Sequence, residues 1–112
     1  MNVLIIGGDG VVGATLAFAL REMGHQVTVT SRRGVVADAL WFDLASPDFE
    51  ILPSVDVTLI CAAMARFEDC RRNPDLAWQV NVTAPAALAA RVSRHRKRLI
   101  LLSTSAVFDC LS

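Results

Sequence analysis

A chain of 112 residues is long enough for one compact domain and too short for two. With 54% hydrophobic and 20% charged residues it has the apolar content of a sizeable core, which excludes a disordered polypeptide. Eleven basic side chains offset eleven acidic ones, so no net field draws the protein to nucleic acid or to a membrane surface.

Val3-Leu4-Ile5-Ile6 is a continuous apolar run bounded by glycine, the pattern of a strand buried on both faces of a parallel sheet. Gly7-Gly8-Asp9-Gly10 follows, then a helix from Val11 to Met23 with Val12, Leu16, Leu20 and Met23 at helical spacing. Gly24 stands where a helix C′ glycine belongs. Val27–Thr30 reads as a second strand and Arg32-Arg33-Gly34 as its exit loop. Ala39–Phe42 reads as a short third strand closed by Asp43. Ser46-Pro47 has the cap and first-turn proline of a brief helix. Val55–Cys61 is the fourth strand, Asn73-Pro74 opens a long helix reaching about His95, and Leu99–Leu102 is the fifth strand. This alternation predicts one α/β domain over residues 1–112, a Rossmann-type doubly wound parallel sheet. Right-handed crossovers give its five strands the order 3-2-1-4-5.

No apolar run approaches the roughly 18 to 20 residues of a spanning helix, and no basic segment precedes Val3–Ile6 as in a signal peptide. The cysteines Cys61, Cys70 and Cys110 are too few and too scattered for a disulfide framework or a metal site. A cytoplasmic domain without a metal is the expectation.

Gly8-x-Gly10-x-x-Gly13 follows a strand and opens a helix, the context in which such glycines cradle a dinucleotide. On this reading Gly8 allows the tight turn, Gly10 the approach of a pyrophosphate, and Gly13 close packing of helix on strand. The N–H groups of Gly10, Val11 and Val12 then face the diphosphate at the positive end of the helix dipole.

The same glycines also satisfy Gly7-x-x-Gly10-x-x-Gly13, a spacing that resembles the extended branch of the short-chain dehydrogenase superfamily, with its sugar-nucleotide reductases and epimerases. Other segments carry the likeness through the chain. Asp43-Leu44 resembles that family's adenine-contacting aspartate and its neighbour. Cys61-Ala62-Ala63 is similar to its Asn-Ala-Ala turn, with cysteine for asparagine. Asn73-Pro74 through Asn81-Val82-Thr83 resembles its long helix with an inner Asn-Val pair. Leu102 to Asp109 is similar to the Ser-Thr-Asp-Tyr-Val-Phe-Asp stretch of dTDP-4-dehydrorhamnose reductases. The resemblance implies Gly7, Asp43, Leu44, Ala62 and Ala63 as further cofactor contacts.

An NAD site places a carboxylate near the end of the second strand to hold the ribose 2′-hydroxyl. Here that place reads Thr30-Ser31-Arg32-Arg33, and Asp38 lies too far along to serve. Ser31 can donate a hydrogen bond, and Arg32 or Arg33 can pair with a 2′-phosphate, so NADP(H) is expected over NAD(H).

At the reaction end the resemblance implies Thr104 as the hydroxyl that polarises a substrate oxygen; the same residue also reads as a turn-capping hydroxyl. Its usual partner, the tyrosine of Tyr-x-x-x-Lys, is missing: the sequence holds no tyrosine, and its one lysine, Lys97, precedes the fifth strand. Pro85 deprives the Asn81 carbonyl of its helical donor, so a kinked helix frees that carbonyl for water, and the resemblance implies a proton-relay role for Asn81. A tolerated kink with Asn81 bonding locally fits the residues equally. Arg91, Arg94, His95, Arg96, Lys97 and Arg98 read as a solvated helix end, Trp41 and Trp78 as core or interface anchors, and Cys61 as a core thiol.

Family members run to more than twice this length, so the chain reads as the truncated cofactor half of such an enzyme, binding a nucleotide-sugar substrate only together with a C-terminal part. The alternative is a non-catalytic nucleotide-sensing or assembly module. In either case the fifth-strand side is expected to leave apolar surface for a homodimer.

Overall fold

The computed structural model describes residues 1–8, 10–32, 38–62 and 67–102. Of the sequence-derived site residues, Arg33, Ala63 and Thr104 lie outside this set. Five strands form one sheet: β1 (Asn2–Ile6), β2 (Gln26–Ser31), β3 (Leu40–Trp41), β4 (Val57–Ile60) and β5 (Arg98–Leu101). Their order is β3-β2-β1-β4-β5 and every pairing is parallel, as the alternation of apolar runs and helices required.

The central strands are apolar on consecutive residues because both faces are covered. Leu4, Ile6 and Ile60 pack with Phe42, Leu44, Ala84 and Leu88 on one face. Val3, Ile5, Val29 and Leu59 pack with Ala17 of helix α1 (Val11–Glu22) on the other. Ile5 and Ile60 are fully enclosed, each burial contributing about 1.5 to 3 kcal/mol before entropy is counted.

Three expectations need correction. Ser46-Pro47 does not open a helix. Asp43 Oδ1 instead accepts the Ala45 N–H at 2.9 Å, and its carbonyl accepts the Ser46 N–H at 3.2 Å, folding that segment into a turn. The helical turn comes later, a 3₁₀ turn at Phe49–Ile51 capped by the Asp48 carboxylate. Secondly, an unforeseen one-turn helix, α2 (Phe67–Arg72), precedes Asn73. It lacks an apolar stripe, but Glu68 and Asp69 at its start and Arg71 and Arg72 at its end complement the helix dipole. Thirdly, of the core or interface roles expected of Trp41 and Trp78, the core one is removed, since they are 59% and 53% exposed.

Pro74 opens the long helix as expected, but the helix is not uniform. It runs as α3 (Pro74–Trp78), one π-helical stretch (Gln79–Thr83) and α4 (Ala84–Arg94). The wide turn lies immediately before Pro85, whose missing N–H removes an i→i+4 donor there. The chain adjusts by bonding the Ala84 N–H to Gln79 O, five residues back. Asn81, half-buried inside this stretch, is itself engaged by a neighbouring group.

Candidate dinucleotide site

The carboxyl ends of β1, β2 and β4 meet around the glycines. Gly7 leaves β1 with φ +89°, a conformation that favours glycine, so the tight turn assigned to Gly8 belongs to Gly7. A Cβ on Gly7 would stand 2.8 Å from both the Cβ and the N of Ala62. That approach is fixed from the β4 side, where the N–H groups of Cys61 and Ala62 both donate to Ile6 O, at 2.8 and 3.1 Å. Gly8 serves packing: a Cβ there would lie 2.5 Å from Cβ of Val29 on β2. Gly13 presses the first turn of α1 onto the Gly7 carbonyl, and a Cβ would approach that oxygen to 2.2 Å.

Gly10 differs from the other three. It occupies the N-cap of α1 with ordinary φ −80° and ψ 165°, and a Cβ would find nothing closer than Gly7 O at 3.7 Å. Among the described residues there is therefore room for a Cβ at Gly10. Among the described residues no side chain caps α1, and its first turn holds no acidic residue. The N–H groups of Val11, Val12 and Gly13 have no intrahelical acceptor, as in any first turn, and Val11 and Val12 are exposed. These donors, the positive dipole end and the open space at Gly10 form a cradle that fits a diphosphate.

Thr30, which no local pattern singles out, holds the turn in place. Its Oγ1 accepts the Gly7 N–H at 3.3 Å and its carbonyl the Gly8 N–H at 2.9 Å, while the residue is 1% exposed. Ser31, next along β2, is 2% exposed and engaged within the protein, whereas Arg32 is exposed. The Arg32 carbonyl accepts the indole N–H of Trp41 at 3.2 Å.

Asp43 is half-buried, with Oδ1 committed to the Ala45 N–H. The Leu44 side chain belongs to the core, and its carbonyl accepts Gln79 Nε2 at 3.2 Å. Gln79 thus ties the loop after β3 to the π-helical stretch. No local pattern reveals this link, because the partners lie 35 residues apart. Cys61 is half-buried, and burial pushes its thiol pKa up, which keeps it protonated and a poor nucleophile. His25 and His95 precede β2 and β5, at the amino ends of the strands and away from the glycines.

Comparison with known proteins places this geometry among relatives. The family described as RmlD substrate binding domain matches residues 1–111. A probable low-salt glycan biosynthesis reductase, Agl14, from Haloferax volcanii is 31% identical over 97% of this chain and 39% of its own length. A dTDP-4-dehydrorhamnose reductase from Mycobacterium tuberculosis is 32% identical over 96% of this chain and 34% of its own. The chain therefore spans less than two fifths of either relative. Among solved structures, MoeE5 in complex with UDP-glucose and NAD superposes with a TM-score of 0.78 at 24% identity, over 94% of this chain and 37% of that one. That likeness establishes the shared fold.

Proposed function

The chain belongs to the RmlD substrate binding domain family, and from that premise we propose that it is the dinucleotide-holding part of a sugar-nucleotide reductase, with NADP(H) as the preferred cofactor and the cytoplasm as its compartment. One observation carries the reading: among the described residues, no side chain caps the amino end of α1 and nothing crowds the Gly10 beside it. Three of the four glycines are explained by packing or by φ; the fourth is explained by a ligand. Gly10, Val11 and Val12 hold the diphosphate, and the Asp43-Leu44 loop lies towards the adenine. When bound, the nicotinamide supplies a hydride to a keto-sugar carbonyl.

The preference for the 2′-phosphate rests on Arg32. No carboxylate is available at the end of β2 to hold a ribose hydroxyl, and an exposed guanidinium forms charge-assisted bonds to a phosphate. Ser31 is too enclosed to share the task, and Ser31→Asp would bury a carboxylate rather than simply reverse the preference. Arg32→Ala is the cleaner variant. Calorimetric titration of the parent with NADPH and NADH is expected to show tighter NADPH binding, and Arg32→Ala to remove the difference. Tighter NADH binding by the parent would overturn the preference.

In these 112 residues Thr104 has no tyrosine to tune it, and an unaided hydroxyl is a poor acid or base. Lys97 cannot substitute, since it pairs with Asp56 at 3.5 Å near the amino ends of the strands. Asn81, within the π-helical stretch, keeps the proton-relay role that the family resemblance implies. The chain alone is expected to bind cofactor without turning over substrate.

A further inference from the structure

Trp41 is an odd residue to find where it stands. β3 has two residues, Leu40 and Trp41, at the edge of the sheet, paired with Thr30 and Ser31 of β2. The strand is anchored by its neighbour, because the Phe42 N–H donates to Ser31 O at 3.1 Å and the Phe42 ring is core. Trp41 contributes little to that anchoring, with 59% of its surface in solvent. Hydrophobic burial does not account for an indole there. What an indole adds over other apolar side chains is an N–H donor, and here it is used: Nε1–H donates to the Arg32 carbonyl at 3.2 Å, nine residues away.

Arg32 is the first residue beyond β2, two positions after the Thr30 that holds the glycine turn. The peptide before its Cα is held by the Phe42 N–H on Ser31 O, and among the described residues the Trp41 bond is what restrains the peptide after it. The backbone beneath the side chain is therefore fixed on both sides only while the Trp41 bond is made. We propose that Trp41 is a positioning residue for cofactor selection: by pinning the Arg32 carbonyl it holds the arginine ready for the 2′-phosphate of NADP(H). The proposal rests on the reading of Arg32 given above. A guanidinium already has several side-chain torsions to fix on binding, and a loose backbone beneath it would add to that entropic cost. On that reading the diphosphate and the adenine fall to Gly10–Val12 and the Asp43-Leu44 loop, not to Arg32, so the bond is expected to discriminate between cofactors rather than strengthen both.

The test is calorimetric titration of the 112-residue protein, its Trp41→Phe, Trp41→His and Arg32→Ala variants, each with NADPH and with NADH. Trp41→Phe keeps an aromatic ring and loses the donor. It is expected to weaken NADPH binding about three- to tenfold, the worth of one hydrogen bond, and to leave NADH binding within about twofold. Trp41→His keeps a ring N–H and is expected to recover part of the lost preference. If Arg32→Ala removes the preference but Trp41→Phe leaves the ratio of the two affinities unchanged, the role of Trp41 is refuted while that of Arg32 stands. An equal loss for both cofactors in Trp41→Phe would make Trp41 merely structural and also refute it. If Arg32→Ala leaves the ratio unchanged, the reading of Arg32 fails and the proposal falls with it.

Discussion

Gly24 and Arg96 perform the same task with opposite suitability. Each follows a helix, Gly24 with φ +89° and Arg96 with φ +57°. Each lies inside the same pair of closing bonds: Gly24 N–H to Arg21 O with His25 N–H to Leu20 O, and Arg96 N–H to Ser93 O with Lys97 N–H to Val92 O. The left-handed conformation suits glycine and strains arginine. Arg96→Gly is therefore expected to stabilise the protein by about 0.5 to 1 kcal/mol, and Gly24→Ala to destabilise it by about 1 kcal/mol. Open space around Gly24 rules out a clash as the cause of the second effect. Chemical denaturation of both variants checks the pair; a destabilised Arg96→Gly would contradict this account of the helix end. Gly13 is a different case, since any side chain there meets the Gly7 carbonyl. Gly13→Leu should abolish the cooperative melting transition.

Among the elements, the amino ends of β1, β4 and β5 are fastened through one residue. Asp56 accepts the Asn2 N–H on its carboxylate at 2.9 Å, donates its own N–H to Asn2 O, and accepts the Arg98 N–H on its carbonyl. Its carboxylate also pairs with Lys97. The Asn2 N–H foremost, with Lys97 in support, holds the Asp56 pKa below its ordinary value against the opposing effect of burial. A carboxylate with a lowered folded-state pKa stabilises above its unfolded pKa and loses that contribution as pH falls through the folded one. Asp56→Asn should therefore melt earlier than the parent near neutrality, and the two should converge on acidification. Thermal melts across the range from about pH 7 to about pH 3 test this; a gap that widens in acid would contradict it. The strands and the two principal helices were legible in the sequence because apolar periodicity and glycine or proline punctuation are local signals. α2 and the turn after β3 were less so. The first buries only Cys70 among its described side chains, and the second is set by Asp43 bonding its own backbone. The π-helical stretch was half legible: Pro85 announced a disturbance, but its form depends on Gln79 reaching Leu44, a contact across 35 residues.

On the scale of the whole molecule the two edges of the sheet formed by the described residues differ. β3 is too short to offer a long edge, whereas β5 carries Ile100 and Leu101, each 47% exposed, followed by Leu102 at 37%. Among the described residues this edge has no strand beside it, and an apolar edge of that kind invites pairing. Association of two copies through this edge is the expected outcome, read as a mass above that of the monomer in light scattering at high micromolar concentration. A clean monomer there would contradict it. The identity of the glycine turn was plain from spacing, but the division of labour within it was not. Only the backbone reveals that Gly7 makes the turn, Gly8 and Gly13 admit neighbours, and Gly10 alone is left with space.

That last distinction also offers the most direct test of the central claim. Gly10→Val adds a side chain whose Cβ meets nothing closer than Gly7 O at 3.7 Å among the described residues but which a diphosphate would strike. The variant should therefore fold, melting only slightly earlier than the parent for the loss of a glycine N-cap. Titrated calorimetrically with NADPH, the parent should bind and Gly10→Val should show no detectable binding. Binding by Gly10→Val as tight as by the parent would place the cofactor elsewhere and contradict the account.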